Sequence, residues 1–268
     1  MDFVRPATLP EALQAKAEMP KAQLLAGGTD LMVEVNMAKH RPDGIIALRH
    51  VRELTSADGG RIGAGVTWRT LERGPHRALA QIARTVGSPQ IRAAGTIGGN
   101  IGTASPAGDG LPWLAALDAG IELTSSARGV RTVPWDEFFV GVKKTSIAAD
   151  EIITAAVLPD DMPAHQEFAK IGVRNAMVIS TVCAVVMRWR DGTTRVALGS
   201  VAPTPMRAKR AEELMSAELR PSEAALAEFA RLVSDEVSPI TDHRSTAGYR
   251  RHASGVLARR LLERCLAA

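Results

Sequence analysis

The sequence predicts an α+β protein of two domains, chiefly from the order of its strand-like and helix-like segments. Three runs with β character between residues 167 and 201 precede three runs with helical periodicity between residues 208 and 266. Strands followed by helices, rather than alternating with them, are typical of an α+β domain. The polar, proline-bounded residues 159–164 separate this part from a first part that mixes short strands and helices. The predicted domains are therefore residues 1–162 and 163–268.

The first domain is predicted to consist of two subdomains, at about residues 1–55 and 56–162. The first begins with a helix entered through Thr8, followed by an apolar strand, a Gly-Gly turn and a helix that Thr29 or Asp30 caps and that runs to Ala38. The second contains a hairpin about residues 127–129 and a long glycine-rich stretch at 95–110, which is predicted to be a loop.

Composition excludes several classes of function. The 268 residues carry a formal charge of only +4 and 4% aromatic residues, so a nucleic-acid role has little support. Two cysteines are too few for an iron–sulfur cluster or a disulfide framework, and no metal site is predicted. The N-terminus has neither the basic nor the apolar region of a secretory signal, and no apolar run is long enough to span a membrane. A cytoplasmic location is therefore expected.

Two glycine-rich segments are the candidate ligand-binding motifs. The first, LLAGGTDLM, lies between an apolar strand and a helical run, where consecutive backbone N–H groups can face an anion. The second, AGTIGGNIGTASPAGD, consists almost wholly of small residues, which allow a close approach to a large, flat ligand. Within it, Asp109 either accepts a hydrogen bond from a ligand hydroxyl or caps the following helix.

Together these segments resemble the flavin subunit of the molybdenum hydroxylases, the xanthine dehydrogenase and carbon monoxide dehydrogenase family. The resemblance spans essentially the whole chain, because RIGAGVTW, DEIITAAVLP, FAKIGVRNAMVIST and DHRSTAGYRR are similar to further family segments in the same order. It implies an FAD-binding domain of the vanillyl-alcohol-oxidase (PCMH) type with two subdomains. It also implies a C-terminal domain with a three-stranded antiparallel sheet and a helical bundle.

The same resemblance implies a set of cofactor-binding residues and no catalytic residue. The two glycine segments would approach the FAD diphosphate from opposite sides, and Asp109 would bind a hydroxyl of FAD. Lys170 matches a family lysine near the isoalloxazine, where a cation stabilises the anionic reduced flavin, although it is equally read as an exposed strand lysine. The whole set is Leu25, Ala26, Gly27, Gly28, Thr29, Asp30, Leu31, Gly87, Thr96, Ile97, Gly98, Gly99, Asn100, Gly102, Ser105, Asp109, Ile153 and Lys170.

Non-covalent FAD is expected, because neither glycine segment contains a histidine or cysteine. The resemblance places molybdopterin in a large partner subunit and [2Fe-2S] clusters in a small one. This chain would pass their electrons to NAD, a quinone or O2. Two alternatives stay open: a free-standing flavin oxidoreductase of the same fold, and a non-catalytic assembly module. Substitution of Gly98 by aspartate is expected to abolish FAD binding.

Overall fold

The N-terminal segment forms a small parallel sheet covered by helices. A computed structural model describes residues 2–58, 60–174 and 177–268 of the chain. Helix α1 begins where the Thr8 hydroxyl accepts the N–H of Glu11, with a proline in its first turn. The three strands pair in the order β1-β3-β2. The elements of this segment are β1 (Asp2–Val4), α1 (Leu9–Glu18), β2 (Gln23–Leu25), α2 (Leu31–Asn36) and β3 (Gly44–Ala47).

The next segment is built on an antiparallel sheet of five strands in the order β4-β5-β10-β6-β7. Its strands are β4 (Ala57–Asp58), β5 (Arg61–Gly63), β6 (Gly120–Ser125), β7 (Gly129–Pro134) and β10 (Ile152–Val157), with β8 (Phe139–Gly141) and β9 (Lys144–Thr145) paired separately. Its helices are α3 (Trp68–Leu71), α4 (Arg77–Thr85), α5 (Pro89–Ala94), α6 (Ile97–Thr103), α7 (Leu111–Leu117) and α8 (Trp135–Phe138). The predicted hairpin is confirmed, since Ser125 pairs with Gly129 across the turn.

The C-terminal segment is an antiparallel sheet covered by three helices. The three predicted strands and three predicted helices are confirmed, and a two-residue fourth strand, too short to show an alternation pattern, joins the sheet at its edge. The strands are β11 (His165–Ile171), β12 (Val182–Arg188), β13 (Thr194–Gly199) and β14 (Met206–Arg207), and the helices are α9 (Lys209–Ser216), α10 (Glu223–Glu236) and α11 (Ala247–Ala267).

Strand β12 links the two halves of the hydrophobic core, because it is buried on both faces. Cys183, Val185 and Met187 pack with α7 and the rest of the preceding segment, whose helix α7 is buried along its whole length. The alternate residues of β12, from Val182 to Val186, pack against the C-terminal helices. The C-terminal sheet is thus seated directly on the segment that carries the second glycine motif.

The glycine-rich stretch departs from its predicted loop conformation. It contains helix α6, which begins where the Thr96 hydroxyl accepts the N–H of Gly99 at 3.0 Å and ends at Ala104 in a left-handed conformation. Glycine disfavours helix by about 1 kcal/mol per residue, so composition alone predicts a loop. Close packing of Gly98 on Ala64 compensates for this cost. Helix α2 is also shorter than predicted and ends at Asn36 instead of Ala38.

Among the helices that the structure describes, none combines the length and apolar character needed to cross a membrane. One arginine of the C-terminal helix α11, Arg250, is buried rather than solvated. Arg250 is only 3% exposed, and its guanidinium donates to backbone carbonyls of Thr181 and Ser200 and to Asp242.

Two ion pairs with partly exposed arginines lead us to expect that the fold is sensitive to acid. A hydrogen bond from Arg61 lowers the pKa of Glu122, and one from Arg131 lowers the pKa of Glu151, both from an ordinary value of 4.5. A carboxyl with a lowered folded-state pKa stabilises the fold above its unfolded pKa and loses this contribution as the pH falls through the folded value. Each pKa unit corresponds to about 1.4 kcal/mol.

We therefore expect the free energy of unfolding to fall as the pH drops below about 4.5. Urea unfolding at a series of pH values measures this dependence. Arg131→Met, which removes the largest cause of the lowered pKa of Glu151, should give a shallower slope below this pH. The same slope in the variant would show that this pair contributes nothing to the acid sensitivity.

Candidate cofactor site

The first glycine motif touches the second through bare backbone. Gly27 follows strand β2, and a Cβ atom added to it would lie 1.9 Å from the carbonyl oxygen of Ala94 and 2.9 Å from Cα of Gly95. Gly28 adopts a left-handed conformation with φ of 71°. The two motifs are therefore in direct backbone contact here, and a side chain at position 27 would block this contact.

Side chains also join the two motifs. The Thr103 hydroxyl at the end of α6 donates to Oδ2 of Asp30 at 3.0 Å. Asp30 is the N-cap residue of α2 but makes no capping bond with its side chain, because its carboxylate is turned toward Thr103. The Thr29 hydroxyl lies 3.2 Å from the position of a Cβ at Gly95. The structure thus brings together residues 25–31 and residues 96–103.

The glycines of helix α6 have different surroundings. A Cβ at Gly98 would lie 2.5 Å from Cβ and 2.6 Å from the carbonyl oxygen of Ala64, so Gly98 is required for packing against the sheet. At Gly99 the nearest atom would be the Thr96 hydroxyl at 3.2 Å, and at Gly102 it would be Cδ1 of Ile153 at 3.4 Å. A Cβ at Gly99 or Gly102 would therefore meet a single side-chain atom each, whereas substituting Gly98 would disrupt the fold before it tested any ligand.

Asn100, also on helix α6, has a buried side-chain oxygen without a hydrogen-bond partner among the described residues. Its side chain lies against the 108–110 turn, with Oδ1 2.7 Å from the position of a Cβ at Gly110. Oδ1 is buried and has no hydrogen-bond partner among the described residues. Buried polar atoms are paired in the large majority of cases. This oxygen can therefore accept a hydrogen bond from a bound group.

Asp109 and Lys170 form an ion pair between the two halves of the chain. Nζ of Lys170 lies 2.7 Å from Oδ2 of Asp109, and the Ser180 hydroxyl donates to Oδ1 at 2.5 Å. The alternative reading of Asp109 as a helix cap is wrong, because the N-cap of α7 is Gly110. Lys170 is not an exposed strand lysine either, since its side chain is only 10% exposed. Sequence reasoning assigned no role to Ser180, which lies 71 residues from Asp109.

A buried thiol lies next to this pair. Burial raises the pKa of Cys183 well above its ordinary value, and the negative charge of Asp109 acts in the same direction. The thiol therefore stays neutral and adds no charge to the site. Cys183 and Cys265 are both free and buried. In the part of the chain that the structure describes, no group of three potential ligand side chains could hold a metal ion.

Lys170 and Gly87 line a cavity of about 750 Å³ between helix α4 and strand β11. Gly87 has a φ of 57°, and a Cβ there would meet the side chain of Ile91 at 2.4 Å. The guanidinium-bearing residues Arg84, Arg174 and Arg264 also line this cavity. Its volume lies within the range of small-molecule sites.

The remaining predicted residues occupy different positions. Ile153 lies on β10, apart from Gly87 and next to Gly102. The Ser105 hydroxyl accepts the N–H of Ala107 within its own turn at 3.3 Å. Ile97 is buried in the core. These three residues support the shape of the site in the structure, and their contact with a cofactor stays a prediction.

Comparison with protein families decides what this arrangement is for. The family described as the FAD binding domain in molybdopterin dehydrogenase matches residues 1–161, more than half of the chain. The chain belongs to this FAD-binding family. The CO dehydrogenase flavoprotein C-terminal domain matches residues 167–265. The family resemblance seen in the sequence is thereby confirmed.

Individual relatives agree with the family assignment. The chain is 34% identical over 283 residues to a putative xanthine dehydrogenase FAD-binding subunit of Escherichia coli K12, with 99% of this chain and 96% of the relative covered. It is 36% identical over 236 residues to the nicotinate dehydrogenase FAD-subunit of Eubacterium barkeri, with 80% and 79% covered. Its fold superimposes on a chain of quinoline 2-oxidoreductase from Pseudomonas putida 86 with a TM-score of 0.91 and 26% identity, covering 100% and 97% of the two chains.

The site observed here suits the cofactor of this FAD-binding family. Gly27 and Gly28 carry no side chain that would keep a diphosphate from the backbone at the contact between the motifs. The unpaired Oδ1 of Asn100 can accept from one of the hydroxyl or amino groups that FAD carries. As a member of the family, the chain is an FAD-binding oxidoreductase component.

Proposed function

We propose that this chain is the FAD-carrying electron-transfer subunit of a molybdenum-dependent hydroxylase complex. The observation that carries the proposal is the backbone contact of Gly27 with Ala94, which fixes two glycine motifs beside a buried, unpaired acceptor on Asn100. When bound, FAD supplies two-electron and one-electron chemistry, which lets it link iron–sulfur clusters to NAD, a quinone or O2. The chain's own residues bind and orient this cofactor and set the charge around it.

Most of the predicted residues have a defined part in this proposal. The backbone of residues 26–31 holds the diphosphate from one side, and residues 96–100 approach it from the other. Lys170 places a cation by the isoalloxazine, Asp109 accepts from an FAD hydroxyl, and Gly87 and Ile153 contact the cofactor rings. The FAD-binding domain is residues 1–162, with subdomains at about 1–55 and 56–162, and the C-terminal domain is residues 163–268. The FAD is held without a covalent bond.

The names of relatives support the partner chains in this proposal. One relative, 32% identical over 277 residues, is the nicotine 6-hydroxylase medium subunit of Paenarthrobacter nicotinovorans. Another, 28% identical over 280 residues, is the carbon monoxide dehydrogenase medium chain of Afipia carboxidovorans. A medium subunit has larger and smaller companions. For this chain we infer a molybdopterin-binding large subunit and a [2Fe-2S] small subunit, in a cytoplasmic hetero-oligomer.

Purification of the tagged chain from its native host tests the proposal. We expect flavin, iron and molybdenum to elute together in a constant ratio across the size-exclusion peak, and the flavin band to bleach when the organic substrate of the complex is added. Flavin without iron or molybdenum would contradict the proposal and favour a free-standing flavin oxidoreductase. A complex without flavin would favour an assembly module instead.

A further inference from the structure

The ion pair at the cofactor site is assembled by residues from both sides of the domain boundary. Asp109 precedes helix α7, whereas Lys170 lies on strand β11 and Ser180 lies between β11 and β12. Lys170 contacts one oxygen of the carboxylate at 2.7 Å and Ser180 donates to the other at 2.5 Å. The Asp109 side chain is 7% exposed and Ser180 is 1% exposed. Both carboxylate oxygens are therefore held in fixed directions away from bulk water.

The ammonium group of Lys170 is fixed equally firmly. Besides Asp109, it donates to the carbonyl oxygen of Thr85 at 3.0 Å and to that of Val178 at 3.1 Å. An ammonium group has three donors, and these contacts use all of them. Its position relative to the neighbouring cavity is thus determined by the same bonds that determine the position of the carboxylate.

A further layer of hydrogen bonds supports Ser180 from behind. The Ser200 hydroxyl donates to the carbonyl oxygen of Ser180 at 2.9 Å. The Ser200 N–H donates to the carbonyl oxygen of Pro106, in the second glycine motif, at 2.7 Å. Ser200 has a φ of 65°, which is strained for a residue with a side chain. Buried Arg250 donates to the carbonyl oxygen of Ser200 at 3.0 Å. This strained conformation persists because the surrounding bonds hold it.

We propose that Ser180 is a positioning residue that tunes the reduction potential of bound FAD by fixing the Asp109 carboxylate beside Lys170, with Ser200 supporting it. The inference rests on the proposed function, since it concerns the FAD that this chain carries. Nothing in the packing of the core requires a hydroxyl at position 180. The hydroxyl serves the carboxylate, whose partner Lys170 lines the cavity.

The direction of the effect follows from charge. A cation beside the isoalloxazine favours the reduced, more negative form of the cofactor. Asp109 partly cancels the cation, and a hydrogen bond from Ser180 to its second oxygen draws negative charge away from Lys170. Loss of this hydrogen bond leaves more of the carboxylate charge unscreened in a buried site. Ser180→Ala should therefore make FAD harder to reduce.

The test measures the midpoint potential of FAD in the full-length chain. We expect Ser180→Ala to keep its FAD but to lower the equilibrium constant for two-electron reduction about tenfold, a shift of about 30 mV. Ser216→Ala is the matched control, because Ser216 on helix α9 is also a hydrogen-bonded serine of the C-terminal domain. It bonds to Thr194 of strand β13 and to Glu212 of its own helix. Its potential should equal that of the wild type.

A second variant decides the matter if Ser180→Ala does not fold. Ser200→Gly removes the hydroxyl that supports Ser180 and suits the left-handed backbone, so it should fold at least as well and shift the potential in the same direction by less. An unchanged potential in the folded variants, or an equal shift in Ser216→Ala, would overturn the inference. A wild-type chain without FAD would overturn the proposed function instead.

Discussion

Gly27→Ala is expected to abolish retention of FAD and to lower the free energy of unfolding by about 1–3 kcal/mol. The added methyl group would lie 1.9 Å from the carbonyl oxygen and 2.4 Å from the carbonyl carbon of Ala94. Both are backbone atoms, which cannot rotate aside as the end of a side chain can. The two glycine motifs must then separate by on the order of 1 Å. The residues proposed to contact the cofactor from opposite sides can then no longer do so together.

The matched control for this variant is Gly248→Ala. A Cβ added to Gly248 has no atom within 4 Å, and the residue lies in helix α11, where alanine is favoured by about 1 kcal/mol. Fluorescence titration with FAD and urea unfolding should show normal affinity and equal or greater stability for the control. Wild-type FAD affinity in Gly27→Ala would show that the contact between the motifs does not form the site.

Gly99→Asp is expected to weaken FAD binding tenfold to thousandfold without loss of stability, equivalent to about 1–4 kcal/mol of charge repulsion at short range. Gly99 faces free space apart from the Thr96 hydroxyl, so the new side chain extends toward the proposed diphosphate position. It occupies the third position of helix α6, where a negative side chain favours the helix. The affinity for FAD should therefore fall, while the free energy of unfolding stays the same or rises.

Gly99→Asn separates charge from size in this prediction. Asparagine has nearly the shape of aspartate but no charge, so we expect it to retain most of the FAD affinity. Titration of both variants with FAD at low and high salt provides the comparison, because repulsion between charges is screened by salt. Equal FAD affinities of the two variants would show that the diphosphate does not lie at this end of α6.

Local patterns were sufficient to predict most of the elements in the C-terminal half. The continuous apolar run of β12 and the helical periodicity around Phe229 and Leu261 arise from burial in the core, which marks each segment in its own sequence. Helix α6 could not be predicted in this way, because its stability depends on Gly98 packing against Ala64, a residue outside the segment. Strand β14 has too few residues to show any period.

The residues of the candidate site also differ in whether the sequence could predict them. Gly27 and Gly28 could be singled out because consecutive glycines between a strand and a helix allow backbone N–H groups to face an anion. Asp109 and Lys170 were singled out by family resemblance, whereas their contact with each other was not predicted. Ser180 left no local signal, since a serine in an irregular segment has no fixed role until the tertiary fold brings it to Asp109. The contacts that could not be predicted join residues far apart in the sequence, and they form only when the whole fold is in place.

The most direct test of the account is the visible absorption spectrum of the purified chain and of the supernatant after heat denaturation. The glycine motifs, joined at Gly27, should hold FAD without a covalent bond. We therefore expect flavin absorption bands in the native protein and the same flavin, free in solution, after heating. A colourless protein that also fails to take up added FAD would contradict the account and leave the assembly module as the remaining function.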